Sequence, residues 1–255
     1  MEREAPAVKK NILLLILCLS ILVFPFQLCA QDKLSVAVAA NFINAFKEMA
    51  ADFEEKTGVK VEATFSSTGN LYSQIKNGAP YDVFLSADTE RPDILQKEGW
   101  TEGSFIYARG KVILWSADKN FCQAPSWQEA LQNVKIKKIA LANPVTAPYG
   151  TSSKEALIKT GLWDGLRDKT VIAQTIAQSF QYASTSAVDA GFVALSASVS
   201  PEGQKGCFYA VPQAPDVVQA ACVAKNARNK VGADLFACYL LSGPALKIKQ
   251  KYGYH

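Results

Sequence analysis

Leu34-Ser35-Val36-Ala37-Val38-Ala39-Ala40-Asn41-Phe42 runs from a buried-strand pattern straight into the start of a helix. Helical spacing follows at once. Phe42, Phe46, Met49 and Phe53 fall at i, i+4, i+7 and i+11, and Gly58 stands near the stop. The arrangement then repeats. Val59–Phe65 alternates toward a strand, and Ser66-Ser67-Thr68-Gly69-Asn70 opens a second helix with Leu71 and Ile75 on one face and Gly78 at its end. Strand followed by helix is the repeating unit of an α/β fold. A helix start presents unsatisfied backbone N–H groups and the positive end of the helix dipole, so it is an anion site that needs no Lys or Arg. Two such starts facing one cleft would hold a small dianion through neutral donors, which marks a binder rather than a catalyst.

The alternation continues outward from these two units. Tyr81–Ser86, Lys111–Ser116, Ile136–Ala142, Val171–Ala173, Gly191–Leu195 and Val217–Ala224 read as strands. Helices are expected at Pro92–Glu98, Trp127–Val134, near Ala177–Ala183, at Asn229–Leu241 and at Ala245–Lys251. The Asn229–Leu241 helix is expected to set Val231, Leu235 and Tyr239 on its apolar side with Phe236 and Leu240. Ser126-x-x-Glu129 and Ser152-x-x-Glu155 read as capping boxes, the second opening a helix after the loop Ala147-Pro148-Tyr149-Gly150. No repeat, low-complexity tract or linker divides the chain. The pattern predicts parallel sheets covered on both faces, in two α/β lobes joined by crossing strands, with the chain returning to the first lobe. Ligands in such folds sit where strand C-termini meet helix N-termini.

The front end differs from the rest. Arg3, Lys9 and Lys10 precede the uncharged run Ile12–Phe26, and Leu28-Cys29-Ala30 offers a small residue before Gln31. This reads as a secretory signal over residues 1–30. The apolar run is short for a membrane span of about 20 residues. A lipoprotein reading through Cys29 is weakened by Gln27-Leu28, which lacks a small residue before the cysteine. The whole chain has 27 basic and 23 acidic side chains, a net charge of +4. Residues 1–30 hold three of the basic and two of the acidic ones, which leaves +3. That mild, scattered charge supports neither nucleic-acid nor strong membrane binding. The densest basic cluster, Lys135-Ile136-Lys137-Lys138, reads as the solvated approach to a strand.

Four of the six cysteines follow residue 30: Cys122, Cys207, Cys222 and Cys238. An exported chain with an even count suggests disulfides, with three possible connectivities, against buried free thiols. The lobe division favours Cys122–Cys207 with Cys222–Cys238. The single histidine, His255, is the last residue and is expected to be loose. Ser-His-Asp, Cys-His and zinc-hydrolase machinery therefore lack their imidazoles. No C-x-x-C, G-x-x-x-x-G-K-[ST] or G-x-G-x-x-G occurs.

Taken in order, these segments resemble the periplasmic molybdate-binding proteins, the solute receptors of molybdate ABC importers. The similarity runs from about Lys33 to Tyr254. Its marks are Ala39-Ala40-Asn41-Phe42, Ser67-Thr68-Gly69 with Leu71-Tyr72-x-Gln74-Ile75, Asn77–Asp88, Ala142-Asn143-Pro144, Ala147-Pro148-Tyr149-Gly150, Gly191–Leu195, Gly243-Pro244 and Lys251–Tyr254. The resemblance implies a two-lobed periplasmic-binding-protein fold of type II, each lobe a mixed or parallel sheet flanked by helices, with the ligand in the inter-lobe cleft. The expected lobes are residues 31–112 with 219–255, and residues 113–218. It implies a monomeric periplasmic receptor for molybdate and tungstate that delivers its ligand to a membrane permease, with no cofactor and no catalytic residue. Molybdenum would be held only as the oxyanion. Carried over by position, Asn41 and the Ala40 backbone supply the first loop, Thr68 with Ser67 the second, Tyr149 the second-lobe loop, and Ile176 a backbone amide. This chain departs from many relatives at Asn41, where they have serine, and at Ala194, where they have tyrosine. No hydroxyl is therefore expected at position 194.

Each of these residues has a plainer reading. Asn41 could cap the helix that starts at Phe42, an interaction worth about 1 kcal/mol, while its N–H₂ faces outward. Thr68 could cap likewise, Ser66 reads as structural, and Tyr149 could pack in a turn. Asp82 and Asp88 flank a strand end, where they would brace loops rather than form a catalytic dyad. Two further classes compete: an exported Ser/Thr or carboxylate hydrolase using Ser66–Thr68, and a same-fold receptor for an organic acid or ferric ion. The first lacks a histidine or nearby lysine. The second wants an Arg clamp or Tyr, His and carboxylate ligands, and Arg109, the one arginine near a crossover, is expected at the surface.

Overall fold

The computed structural model describes residues 33–255, and the expected signal segment 1–30 lies outside the described residues. The described residues open with β1 (Leu34–Ala39), a single 3₁₀ turn (Ala40–Phe42) and α1 (Ile43–Thr57). The expected apolar stripe Phe42, Phe46, Met49 and Phe53 is buried, and Gly58 ends α1 in the left-handed region at φ 72°. Next come β2 (Val61–Ser66), α2 (Thr68–Lys76), β3 (Val83–Leu85), α3 (Glu90–Lys97) and β4 (Thr101–Gly110). The chain then crosses into β5 (Val112–Ser116), α4 (Trp127–Gln132), β6 (Ile139–Ala142), α5 (Pro148–Lys159), β7 (Thr170–Ala173), α6 (Ile176–Ser184), β8 (Ala190–Ala194) and β9 (Cys207–Ala210). It returns through β10 (Val217–Ala224) to α7 (Lys230–Leu240) and α8 (Gly243–Lys251).

Two five-stranded sheets result, in the orders β2-β1-β3-β10-β4 and β7-β6-β8-β5-β9. They share one plan. In the first, β1 pairs in parallel with β2 and β3, while β10 runs antiparallel between β3 and β4. In the second, β6 pairs in parallel with β7 and β8, while β5 runs antiparallel between β8 and β9. The sheets are thus mixed, not purely parallel as the strand–helix alternation predicted. The strands that carry the chain between lobes, β5 and β10, enter against the direction of the parallel trio.

Strands β4 and β9 were not expected. Thr101-Glu102-Gly103-Ser104 and Cys207-Phe208-Tyr209-Ala210 carry little apolar alternation, and each forms a strand by pairing along an edge of a sheet built by stronger sequences. Helix α5 begins at Pro148, one turn before the expected Ser152 box. Proline at N1 pre-sets φ for the first turn. The Ser152 hydroxyl, inside the helix, donates to Pro215 O at 2.7 Å. On α7, Val231 and Leu235 face solvent, and Ala233, Phe236 and Leu240 form the packed side. Ser126 does cap its helix, with Oγ accepting from Glu129 N at 3.2 Å, but the Glu129 carboxylate takes the Ser126 hydroxyl proton at 3.0 Å rather than closing the box on the Ser126 backbone.

Cys122 and Cys207 form a disulfide. Cys222 and Cys238 do not pair: both are free, the first buried and the second exposed. The reason is strand alternation. Ala221 and Val223 turn to the core shared with Phe236 on α7, so Cys222 points to the opposite face, among Leu71, Phe84 and Leu95. His255 is not loose: its backbone exchanges hydrogen bonds with Arg109, and Nε2 lies 3.3 Å from Asp216. Arg109 is exposed.

Candidate functional site

Four helix starts converge between the two sheets. The 3₁₀ turn at Ala40 follows β1, α2 follows β2, α5 follows the loop after β6, and α6 follows β7. Each therefore stands beyond the C-terminal end of a parallel strand, where first-turn amides have no partner within their own helix. They border a small pocket lined by Ala39, Ala40, Asn41, Ser67, Thr68, Ala87, Ala147, Pro148, Tyr149 and Ile176. All six residues expected at the site, Ala40, Asn41, Ser67, Thr68, Tyr149 and Ile176, are on this wall. No lining residue carries a formal charge.

The polar atoms at the wall are hydroxyls and amides. Ser67 precedes α2 but does not cap it. Its Oγ is buried without a hydrogen-bond partner. Thr68 Oγ1 accepts from Ala87 N at 3.0 Å, which leaves its hydroxyl proton as a donor. Thr175 caps α6 by accepting from Gln178 N at 3.0 Å, which sets the direction of the helix start at Ile176. At α5, Pro148 has no N–H, so the first backbone donor is Tyr149.

Asn41 departs from its expected geometry. It makes no cap, and its amide is turned away from an outward-facing pose. Nδ2 donates to Gln219 Oε1 at 2.7 Å and lies 3.2 Å from the Tyr254 hydroxyl. Behind the cavity wall a buried polar cluster joins both lobes. Tyr107 OH donates to Gln219 Oε1 at 3.1 Å, Gln219 Nε2 donates to Tyr149 OH at 3.4 Å, and Tyr254 OH donates to Asn41 O at 2.6 Å. Ser196 Oγ, from the second lobe, also donates to Asn41 O at 2.9 Å. Burial pushes the Tyr149 hydroxyl well above the ordinary tyrosine range, with Tyr254 and Tyr107 adding to it. Burial also pushes Tyr254 up to about 12. Gly110 makes the cluster possible, since a Cβ there would stand 1.9 Å from the Tyr149 hydroxyl.

Gln219, Tyr254, Tyr107 and Ser196 were missed in the sequence. For Gln219 a signal existed: it is the one strongly polar residue in the apolar run Val217-Val218-Gln219-Ala220-Ala221-Cys222-Val223-Ala224. The two aspartates brace the backbone. Asp82 accepts from Ser35 N at 2.7 Å and Arg228 N at 2.6 Å. Asp88 accepts from Arg91 N at 3.1 Å and pairs with the Arg91 guanidinium. The lobes also meet on the rim, where Gly69 N donates to Thr146 O at 2.8 Å and Arg91 Nη2 to Val145 O at 3.1 Å. Among the described residues, neither Ser67 nor Thr68 has a His, Lys, Asp or Glu partner, and no group of three or more His, Cys, Asp or Glu could hold a metal ion. The cavity offers neutral hydroxyl and amide groups and no formal charge.

Comparison with known proteins points the same way. The family model for bacterial extracellular solute-binding proteins matches residues 34–255. A protein of Azotobacter vinelandii named molybdate-binding protein ModA is 39% identical over 234 residues, covering 89% of this chain and 92% of its own. A Rhodobacter capsulatus protein of the same name is 38% identical over 229 residues, covering 88% and 89%. The solved structure of the Azotobacter vinelandii periplasmic molybdate-binding protein superposes with a TM-score of 0.83 at 32% identity, covering 88% of this chain and 99% of that one.

Proposed function

Because the chain belongs to the bacterial extracellular solute-binding protein family, we propose that it is a periplasmic receptor for molybdate, and for tungstate, that hands its ligand to the membrane permease of an ABC importer. One observation carries this reading: the Ser67 hydroxyl is buried without a partner in an uncharged cavity ringed by four helix starts. A fully ionised oxyanion offers acceptors only, so it satisfies such donors without proton rearrangement. A protonated ligand would bring a donor against donors. Sulfate has the same charge but is smaller, so it would leave contacts stretched or unmade, each costing roughly 1–3 kcal/mol. Relatives named for molybdate binding support the choice of ligand.

In this reading Ala40, Asn41, Ser67 and Thr68 act from one lobe (residues 31–112 with 219–255). Tyr149 and Ile176 act from the other (residues 113–218). The ligand favours the closed form by touching both, and the protein acts as a monomer. The test is calorimetric titration of the purified, ligand-free protein with molybdate, tungstate, sulfate and phosphate. Tight one-to-one binding of the first two, with little heat from the others, is expected. Equal affinity for sulfate, or no molybdate binding by the folded protein, would overturn the reading.

A further inference from the structure

Tyr149 links the two lobes through its own side chain. Its backbone belongs to the second lobe, where it is the second residue of α5, and its side chain is fully buried. The hydroxyl reaches the first lobe. It accepts from Gln219 Nε2 at 3.4 Å and is hydrogen-bonded to Tyr254, whose own proton goes to Asn41 O. The phenol is thus engaged with protein partners behind the cavity wall. What α5 offers a ligand is backbone: the N–H of Tyr149, its first amide after Pro148.

The end of that side chain has room only because position 110 carries none. A Cβ on Gly110 would stand 1.9 Å from the Tyr149 hydroxyl oxygen, 2.9 Å from Gln219 Nε2 and 3.0 Å from Tyr254 Cε1. Gly110 ends β4 and pairs with Val217 at the start of β10. The socket therefore lies where the chain leaves the first lobe and where it returns. On the other side, Gly150 lets α5 settle on β6, since a Cβ there would stand 2.1 Å from Ala142 O. The start of α5 is held from its own lobe at Gly150 and from the opposite lobe through the Tyr149 side chain.

We propose that Gly110 is a positioning residue for the oxyanion site: the space left by its missing side chain seats Tyr149 across the lobe boundary, and the seated side chain holds the start of α5 at the cavity. The inference rests on the oxyanion reading above and deepens it, because it sets the distance between the backbone donors of the second lobe and the Ser67 and Thr68 hydroxyls of the first. Neutral donors hold an anion only at short range and good alignment, since a hydrogen bond weakens steeply when stretched or bent.

Gly110→Ala fills the socket with one methyl group. Gly110 does not adopt a positive φ, so alanine adds no backbone strain and the change acts through space alone. Tyr149→Phe removes the atom that this methyl meets most closely and keeps the ring. By calorimetric titration, Gly110→Ala should weaken molybdate binding about tenfold or more beside Tyr149, and by less than about threefold when made in Tyr149→Phe. Equal losses in both backgrounds, or no loss beside Tyr149, would overturn the inference while leaving the oxyanion reading intact. So would a loss from Tyr149→Phe as large as that from Gly110→Ala, because the hydroxyl itself would then be what the ligand needs. Failure of the wild-type protein to bind molybdate would overturn both. Thermal melts report the folding of each variant. If Gly110→Ala alone does not fold, a folded, molybdate-binding double variant supports the inference, and a double variant that neither folds nor binds overturns it.

Discussion

Ser67 and Thr68 divide the work at the start of α2. Thr68 has its oxygen occupied by Ala87 N, whereas the Ser67 hydroxyl has no protein partner. Burying a hydroxyl without a bond costs about 1–3 kcal/mol, and a ligand that accepts its proton recovers that. Ser67→Ala should therefore weaken molybdate binding by about tenfold or more while the ligand-free protein melts at the same or a higher temperature. Calorimetric titration and melts of the same sample check both halves. A fall in both affinity and melting temperature would make Ser67 structural. The buried tyrosines carry a second expectation. Ionising Tyr149 or Tyr254 would set a negative charge against the dianion, and burial moves both ionisations upward. Molybdate affinity should then be flat from about pH 6 to about pH 9, as measured by titration in matched buffers. A decline centred near neutrality would show that a titrating group faces the ligand.

At the scale of elements, the parallel strands bring helix starts together and the return strand supplies what stands behind them. Strand β10 sits between β3 and β4, so Gln219 lies under the cavity although it is far from Asn41 and Tyr149 in sequence. The C-terminal helix is held to this frame by a buried lysine. Lys249 Nζ donates to Tyr107 O at 2.7 Å and Leu240 O at 2.9 Å, and burial lowers its pKa. Lys249→Ala leaves two carbonyls without a donor and removes a packed stem. It should destabilise the protein by roughly 2–4 kcal/mol, read as a lower urea midpoint. Unchanged stability would mean that water replaces the ammonium. Tyr254 follows α8, so this variant should also weaken the Asn41–Tyr254 contact.

At the largest scale, residues 33–255 form two lobes of one plan, tied across the cleft by polar contacts and within the second lobe by a disulfide. The Cys122–Cys207 link spans 85 residues of sequence and pins the turn at Lys119–Gln123 to the edge strand β9. In the chain-entropy account, a loop of that length contributes about 4–5 kcal/mol by restricting the unfolded chain. Reduction should lower the melting temperature by about 10 °C or more in a chain of this size, with molybdate affinity unchanged, because neither cysteine lines the cavity. Scanning calorimetry and titration under reducing conditions measure this. Loss of affinity on reduction would instead couple the β9 edge to the site.

Local sequence alone determined a good deal. The α/β alternation, the buried stripe of α1, the limits of β1 and β10, and helix starts next to Asn41 and at Thr68 are legible because side-chain periodicity and punctuation by glycine act within a few residues. Six of the ten wall residues were named through the family resemblance, and the local context of Tyr149 offered only packing. Tertiary structure decided the rest. Strands β4 and β9 exist because neighbouring strands offer ladder bonds, and their own patterns are too weak to announce it. Cys222 is kept from Cys238 by the face of the sheet it occupies, and His255 is fixed by the backbone of Arg109. Asn41 is neither a cap nor an outward donor, because Gln219 and Tyr254, brought beside it by the return of the chain, capture its amide. Such partners are separated by most of the chain, and a hydrogen bond is chosen by what the fold places within its reach, which no local pattern encodes.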